Sequence, residues 1–581
     1  MRAQLGLARC GGALALASLL AGVSTAAFAA PDPKPDPRDA RIQQLQDEVQ
    51  QLVADHQRLQ AEDEQLMAKA QQLETEVAAL QQGQAAQTQA IQSQSQTIQT
   101  VEAKEPPAPT VITNMLNGRP VLASADGRFS ITPHLVMQLD TAGYFQPAAG
   151  PTSTDFRRDG PALGASATNV DAAHARDLKD GTDFRRARIG LDGTAFGDWD
   201  YRLILDFAGS GVENSGQLYE SWVQYSGLKP VRFRIGAFPP SIGLEDQGST
   251  NFMPFIERSV DGDLSRGLAA GDTRLAAEVF ANGDHWLASG AITGRTIGVL
   301  NTGTAAAVPQ TYGDQLGLVG RVAISPFYGK DWLVHFGVHG SYVIHPADTT
   351  GPGTNGLLTP ASEVISLSNT PELRVDGTKF LNTGNMPASH AGTVGAEFAA
   401  QKAGFLIQSE YDYFSVQRDD GTLATPVSNP HFQGYYVQGL WMLTGEQRKY
   451  NAVTAAFDGP AVAHPFTLNG GGLGAWEVGL RYSDMDLNFD AGAPGTYVSA
   501  TSPNSTIRGG NEENFSAALN WYPNTVVRFM LDYAYVHIDR LSPATAANSA
   551  SVWLLPTGAA GAGVQIGQSY SVVSVRSQFA F

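Results

Sequence analysis

From about Phe129 to Phe581, apolar and polar residues alternate with a period of two, in runs broken by turn residues. That is the pattern of strands with one greasy and one polar face. Between Val526 and Val536, the side chains of Val527, Phe529, Leu531, Tyr533 and Tyr535 share one face, and Arg528, Met530, Asp532 and Ala534 the other. At the end, Val573, Val575, Ser577, Phe579 and Phe581 oppose Val572, Ser574, Arg576, Gln578 and Ala580. About sixteen strands are predicted in this way, starting near Phe129, Phe184, Trp199, Gln217, Val231, Thr273, His285, Gln315, Trp332, Ala391, Ala403, His431, Trp476, Asn514, Val526 and Tyr570. Their connections alternate between short ones, such as Tyr522-Pro523-Asn524-Thr525, and long ones, such as Gln146 to Asp183 and His345 to His390. An even count, with short periplasmic turns and long external loops, predicts an antiparallel transmembrane β-barrel of the Gram-negative outer membrane. In it, Phe579 and Phe581 are the aromatic part of the last-strand signal to the barrel-assembly machinery. A soluble double-sheet sandwich would also alternate, but it has no use for so many aromatic outer faces. An Arg on the lipid side near the midplane would cost about 2–4 kcal/mol, so the charged faces are assigned to the lumen or a rim.

A different period runs from Ile42. Leu45, Leu52, Leu59, Leu66, Leu73 and Leu80 recur every seventh residue, with Ile42, Val49, Ala70, Val77, Ile91 and Ile98 at the other core position. Strict heptads predict a coiled coil, because a lone amphipathic helix drifts off a seven-residue repeat. His56, Asp63 and Gln84 interrupt the second seam, where polar residues fix register. A helix of roughly sixty residues would reach about 90 Å. The Pro-rich run Lys104 to Pro109 then ends it.

At the start, Arg2 and Arg9 precede an apolar run from Gly11 to Val23, and Ala27-Phe28-Ala29 offers a cleavage site before Ala30. This predicts export. The expected organisation is a signal peptide over 1–29, a Pro-rich segment over 30–41, a periplasmic coiled coil over 42–102, a linker over 103–128 and an outer-membrane barrel over 129–581. The single cysteine, Cys10, lies in the signal, so the mature chain has no disulfide and no Cys-based metal site. With 43% apolar residues, 16% charged residues and 62 Gly in 581, the chain is too polar for a helical membrane protein and too rich in Gly and aromatics for a disordered one. A formal charge of −18 argues against nucleic acid as a partner.

Several segments in order resemble one family, the phosphate-selective outer-membrane porins O and P. They are Phe184-Arg185-Arg186-Ala187-Arg188 leading to Gly197-Asp198-Trp199, Tyr225 to Val231, Ile242-Gly243-Leu244-Glu245 followed by Glu257-Arg258, Leu443 to Tyr450, Gly474 to Glu477 with Arg481-Tyr482, and Asn520 to Asn524. The resemblance covers most of Phe129 to Phe581. It implies a sixteen-stranded homotrimeric channel with an inward-folded third loop and lumenal arginines and lysines that guide anions. The trimer comes from the resemblance, since the mixed Ile/Val and Leu seam fits two strands at least as well.

An oxyanion path needs fixed cations at close range, and guanidinium offers a planar fork of donors. Strand parity points Arg186 and Arg188 inward if Ile189 and Leu191 face lipid, and Arg232 and Arg234 inward if Val231, Phe233 and Ile235 do. Arg185, Arg202, Arg321 and Arg481 complete the candidate pore-lining set. The same arginines could instead pair with Asp206, Glu220 or Glu477 and brace the wall. The resemblance also exposes departures. Phosphate-selective members place a lysine directly after Gly-Leu-Glu and an aspartate before the glutamate of the preceding strand segment. Here those positions hold Asp246 and, before Glu220, Tyr219. The loop from Pro239 to Arg266 carries Glu245, Asp246, Glu257, Asp261 and Asp263 against Arg258 and Arg266, so an acidic constriction is expected. An unpaired Asp246 in the neck would oppose phosphate.

Eleven histidines are scattered, without a His-Glu-x-x-His or a nucleophile elbow, so no enzyme, metal or cofactor is expected, and His335, His339 and His537 are placed on a strand face or rim. The expected function is passive diffusion of small hydrophilic solutes with some anion or phosphate preference. Alternatives are a general-diffusion porin without phosphate preference, or a barrel that tethers a periplasmic stalk. The expected partners are other copies of the chain, outer-membrane lipid and lipopolysaccharide, the assembly machinery and small anions such as phosphate.

Overall fold

A computed structural model describes residues 111–146 (save 117 and 118), 178, 180–208, 216–269, 273–297, 314–347, 363–419, 428–492, 506–540 and 568–581, with separate helical residues between 41 and 92. The chain divides into two units, Met1–Ala108 and Pro109–Phe581. In the first, residues 45–50 and 64–79 are helical. Leu45, Leu52, Leu66 and Leu73 lie on helical residues and are all more than half exposed in the single chain. Leu59 and Leu80 fall outside the described residues.

The second unit opens with a hairpin, β1 (Val111–Leu116) and β2 (Arg119–Ser124), within the stretch read as a linker. It joins the barrel through Leu122 and Ala123, which pair with Ile131 and Ser130. Sixteen antiparallel strands then follow. They are β3 (Ser130–Phe145), β4 (Gly181–Ala195), β5 (Trp199–Asp206), β6 (Gln217–Leu228), β7 (Val231–Phe238), β8 (Arg274–Asn282), β9 (Trp286–Thr296), β10 (Leu316–Tyr328), β11 (Trp332–His345), β15 (Met386–Lys402), β16 (Phe405–Arg418), β17 (His431–Met442), β20 (Ala475–Phe489), β21 (Ile507–Tyr522), β22 (Val527–Asp539) and β23 (Gln568–Ala580). Short strands β12 (Val364–Ile365), β13 (Ser368–Asn369) and β14 (Leu381–Asn382) lie before β15, and β18 (Arg448–Asn451) and β19 (Ala456–Pro460) before β20.

The barrel closes where β23 pairs with β3, from Val136 against Ala580 to Phe145 against Ser571. Phe581 extends that seam, exchanging two backbone hydrogen bonds of 3.0 Å with Leu135. Closure leaves no open edge, which is the condition for strands to stand in lipid. Ile189, Phe233, Ile235, Leu531, Tyr535 and Phe579 point outward and are exposed, as parity required. Around the short-turn rim the aromatic side chains stack: Phe405 on Trp441 at 5.1 Å, Trp476 on Trp521 at 5.5 Å, and Trp521 on Phe529 at 5.5 Å. Such a girdle marks a membrane interface.

Three segments turn into the lumen. Residues 239–269 carry two helices, α1 (Leu244–Gln247) and α2 (Val260–Leu268), the second capped by Ser259, whose hydroxyl accepts from Gly262 N. Ile242, Val260, Leu264 and Leu268 pack with Phe414, Phe432 and Met485 of the wall and with Leu367 and Leu381 of residues 363–385, the second segment. The third, 443–474, enters from the opposite, short-turn rim. This departs from the expectation that all connections on that rim are short. The apolar stretch Ala455-Ala456-Phe457 supplies the reason, since it is buried among Phe280, Leu287 and Ala323 of the wall and Leu244 and Phe255 of the first segment.

Candidate functional site

The first inward segment meets a group of wall arginines where the sequence predicts the neck. Between β3 and β4 the register shifts, so that Arg186 opposes Gln138 while Phe184 opposes Leu139. Arg185 is the extra residue of this bulge, and both Arg185 and Arg186 are buried on the lumen side. Strict alternation would have sent one of them to lipid.

Glu257 is the hub. It accepts from Arg185 Nε at 2.7 Å and from Arg576 Nη2 at 2.7 Å, while Arg374 Nε lies 3.9 Å away. Arg576 also holds Asp140 with two bonds of 2.7 Å. Burial pushes the Glu257 carboxyl up, but Arg185, Arg576, Arg186 and Arg374 outweigh it and hold the group well below the usual carboxylate range. Glu257 is therefore charged. Arg374 reaches on to Asp263, and Asp246 takes Arg266 at 2.6 Å and Arg258 at 3.4 Å.

These contacts correct the expectation of an unpaired Asp246 in an acidic neck. A count confined to the loop omits the guanidiniums brought up by the wall and by residues 363–385. Through linked contacts, Arg185, Arg186, Arg258, Arg266, Arg374, Arg481 and Arg576 face Asp140, Glu245, Asp246, Glu257, Asp263 and Glu372. Seven guanidiniums meet six carboxylates.

The other candidates divide into two sets. Buried ones brace: Arg188 bonds Asp206 at 2.8 Å and lies 3.4 Å above the Tyr219 ring. Arg321 grips Glu397 with two bonds of 2.8 Å and donates to the carbonyls of Thr454 and Ala455. Arg481 bonds Glu245 at 3.2 Å, Glu372 and the Glu257 carbonyl. Half-buried ones lie near the short-turn rim. Arg202 lies 3.4 Å from Glu220, which also accepts from Trp222 Nε1, Arg234 bonds Gln224 with Glu278 at 3.6 Å, and Arg232 donates to Asn282 Oδ1 at 2.6 Å. Asn282 is neutral, so the charge on Arg232 meets no carboxylate within ion-pair distance among the described residues.

Sequence reasoning missed three further anchors. Arg448 bonds Glu477 at 2.6 and 2.7 Å and donates to the Phe252 carbonyl. Arg528 donates to the carbonyls of Asn251 and Met253, and Arg576 to that of Ile256. Arg528 and Arg576 had been visible on polar faces, yet nothing in a strand pattern tells which carbonyl of a distant loop a lumenal arginine will meet.

A model of the family described as phosphate-selective porin O and P matches residues 159–559. The chain belongs to that family. This porin is similar to Porin O of Pseudomonas aeruginosa, with 26% identity over 371 residues that cover 62% of this chain and 78% of the relative. It is also similar to an uncharacterized protein of Caulobacter vibrioides, at 24% identity covering 63% of this chain and 65% of that one. Among solved structures it resembles an anion-selective porin from Comamonas acidovorans, at 13% identity and a TM-score of 0.40 over 78% of this chain and 100% of that chain. It is an outer-membrane channel.

Inside this porin, His339, Glu397 and Glu410 bring ligand-type atoms within 4.8 Å of one another. Each is engaged from within. Glu397 accepts from Arg321 and contacts His335 and His339, His339 Nε2 lies 3.0 Å from Asp412, and Glu410 accepts from Glu245 N at 2.7 Å and Tyr436 Oη at 2.6 Å. A metal would have to displace these bonds, and the group instead ties both inward ends of the lumen: Ser265 of α2 donates to Asp412, and His335 meets Tyr450 of the third segment. Burial holds the Asp261 carboxyl well above its usual range, reinforced by Asp412, Glu245 and Glu410, which favours its neutral form.

Glu372 is expected to give residues 363–385 a pH response. Burial pushes its carboxyl up to about 7 against the pull of Arg481. A folded-state value raised above the free one means that docking of residues 363–385 is fully supported below the free value and weakens as pH rises through the folded value. Conductance and open-channel noise are expected to rise between about pH 4.5 and about pH 7 and to level off above that, and Glu372→Gln is expected to remove the step. A titration of single-channel current that keeps its midpoint in the variant would assign the response to another group.

Proposed function

We propose that this porin passes small hydrophilic solutes by passive diffusion with a modest preference for anions, phosphate among them. The observation that carries the reading is that guanidinium slightly exceeds carboxylate in the cluster at the inward segment, seven against six. An ion in a narrow neck feels the nearest charges most, because salt screens over about 10 Å at 0.1 M. Arg232, with a neutral partner, adds a cation toward the short-turn mouth. The preference is modest because most arginines are already paired. In a potassium chloride gradient the reversal potential is expected on the anion side, and Arg232→Ser to move it toward zero. A cation-selective native channel would sink the reading.

The working form is a homotrimer carrying a periplasmic coiled-coil stalk over 42–102. Exposed Leu45, Leu52, Leu66 and Leu73 support it, since a heptad seam is stable only when covered by a second helix. Deleting Ile42 to Val101 is expected to lower the melting temperature of the oligomer in detergent while single barrels stay folded. An unchanged melting curve would give the stalk another use.

A further inference from the structure

From Gly459 to Trp476 the chain holds no Asp, Glu, Lys or Arg, a long uncharged stretch for a connection at the rim of a barrel. Its first part belongs to the lumen, where Val462 packs on Met442, Ala475 and Tyr522. The rest does not. Phe466 N donates to the Pro523 carbonyl at 2.7 Å, and its ring meets that of Trp521 edge-on, with centroids 5.3 Å apart. Trp476 and Trp521 stand on the outer faces of β20 and β21, since their neighbours Glu477 and Asn520 are buried on the inner ones. Both indole N–H groups donate to the Leu473 carbonyl, at 3.2 and 2.9 Å. The segment therefore crosses the short-turn rim and lies against the outside of the aromatic girdle.

The turn is held by its own backbone. Thr467 Oγ1 accepts from Gly471 N at 2.8 Å, Gly474 N donates to the His464 carbonyl at 3.0 Å, and Gly470 takes a φ of 84° that glycine adopts readily. So built, it presents Phe466, Leu468 and Leu473, which are 39%, 92% and 72% exposed. Single exposed leucines are ordinary, but these side chains extend a surface that already faces lipid. A girdle usually ends at indole N–H groups that reach headgroups and water. Here one loop carbonyl takes both N–H groups, and the apolar surface continues past the tryptophans.

We propose that the turn from Phe466 to Leu473 is a membrane anchor, seated at the boundary between headgroups and acyl chains in the leaflet on the short-turn side. Lipid is the medium already beside the girdle, and a turn without charge enters it at little cost in desolvation. The anchor lies at the outer end of the same segment whose inner part, Ala455 to Phe457, fills the lumen. It fixes that segment from outside the wall, whichever ions the channel prefers.

Spin labelling of the full-length porin in phospholipid vesicles tests it, because the only cysteine, Cys10, lies in the signal. Labels are attached at Leu468→Cys and, as a reference on the same rim, at Lys330→Cys in the exposed short turn between β10 and β11. Leu468 is almost fully exposed, so replacing it breaks no packing. Collisions with oxygen, which concentrates in lipid, are expected to exceed those with a water-soluble nickel chelate severalfold at position 468, and the ratio to reverse at position 330. A label at Leu473→Cys is expected to behave like the one at 468. Nickel prevailing at 468 as it does at 330 would put the turn in water and overturn the proposal. Weak collisions with both reagents would show a turn covered by protein, whether a second copy or the helical unit, and would overturn it as well.

Discussion

Glu257→Gln is expected to turn a weakly anion-preferring neck into a strongly anion-selective one. Glutamine keeps the shape and one acceptor oxygen but removes the charge that Arg185, Arg576 and Arg374 share. The guanidiniums of Arg576 and Arg374 stay in place, because Arg576 retains Asp140 and the Ile256 carbonyl, and Arg374 retains Asp263. One unit charge at about 4 Å is worth about 4 kcal/mol at an effective dielectric of 20. Even with most of that lost to screening and relaxation, the phosphate concentration that halves chloride current is expected to fall about tenfold or more. The reversal potential is expected to shift toward anions together with it. An unchanged reversal potential, in a variant whose loops resist protease like the native ones, would place Glu257 off the ion path.

Arg448→Met is expected to open the channel from the short-turn side. Arg448 joins the wall to both inward segments that meet there, through Glu477, the Phe252 carbonyl and, at 3.4 Å, the Asp458 carbonyl. Methionine can fill part of the volume but leaves Glu477 with only the donors of Asn520 and Tyr522. Breaking one side of a buried ion pair costs about 3–5 kcal/mol. That loosens a segment otherwise held by Ala455, Ala456 and Phe457, the Arg321 bonds, the Tyr450 hydroxyl at His335, the Gln401 bond to the Arg448 carbonyl and Phe466 N on the Pro523 carbonyl. Single-channel conductance is expected to rise severalfold, with new proteolytic cleavage within 443–474. Native conductance in the variant would show that the segment stands clear of the ion path.

Much of the barrel was legible because lipid imposes a period of two on every strand that crosses it. All sixteen strand starts are present, most within three residues. The two that slipped have local causes: β15 begins at Met386, ahead of Pro387, and β21 at Ile507, ahead of Gly509 and Gly510. Proline and glycine interrupt side-chain alternation without ending the hydrogen-bonded ladder. The site was less legible. The bulge at Arg185 hid that two adjacent arginines both face inward. Counting only the loop made the neck look acidic, because its partners lie far away in sequence, Arg185 by 72 residues and Arg576 by 319.

The sequence by itself determined the strands, their lumenal and lipid faces, the closing aromatic pair Phe579 and Phe581 and the heptad repeat, since each follows from short-range periodicity. Tertiary structure alone decided the charge state of the neck. Whether Asp246 repels an anion depends on Arg258 and Arg266 within 4 Å, and whether Glu257 does depends on three arginines from separate parts of the chain. Coulomb interactions in a water-poor neck are set by distance through space, and barrel closure brings together charges that no local pattern connects.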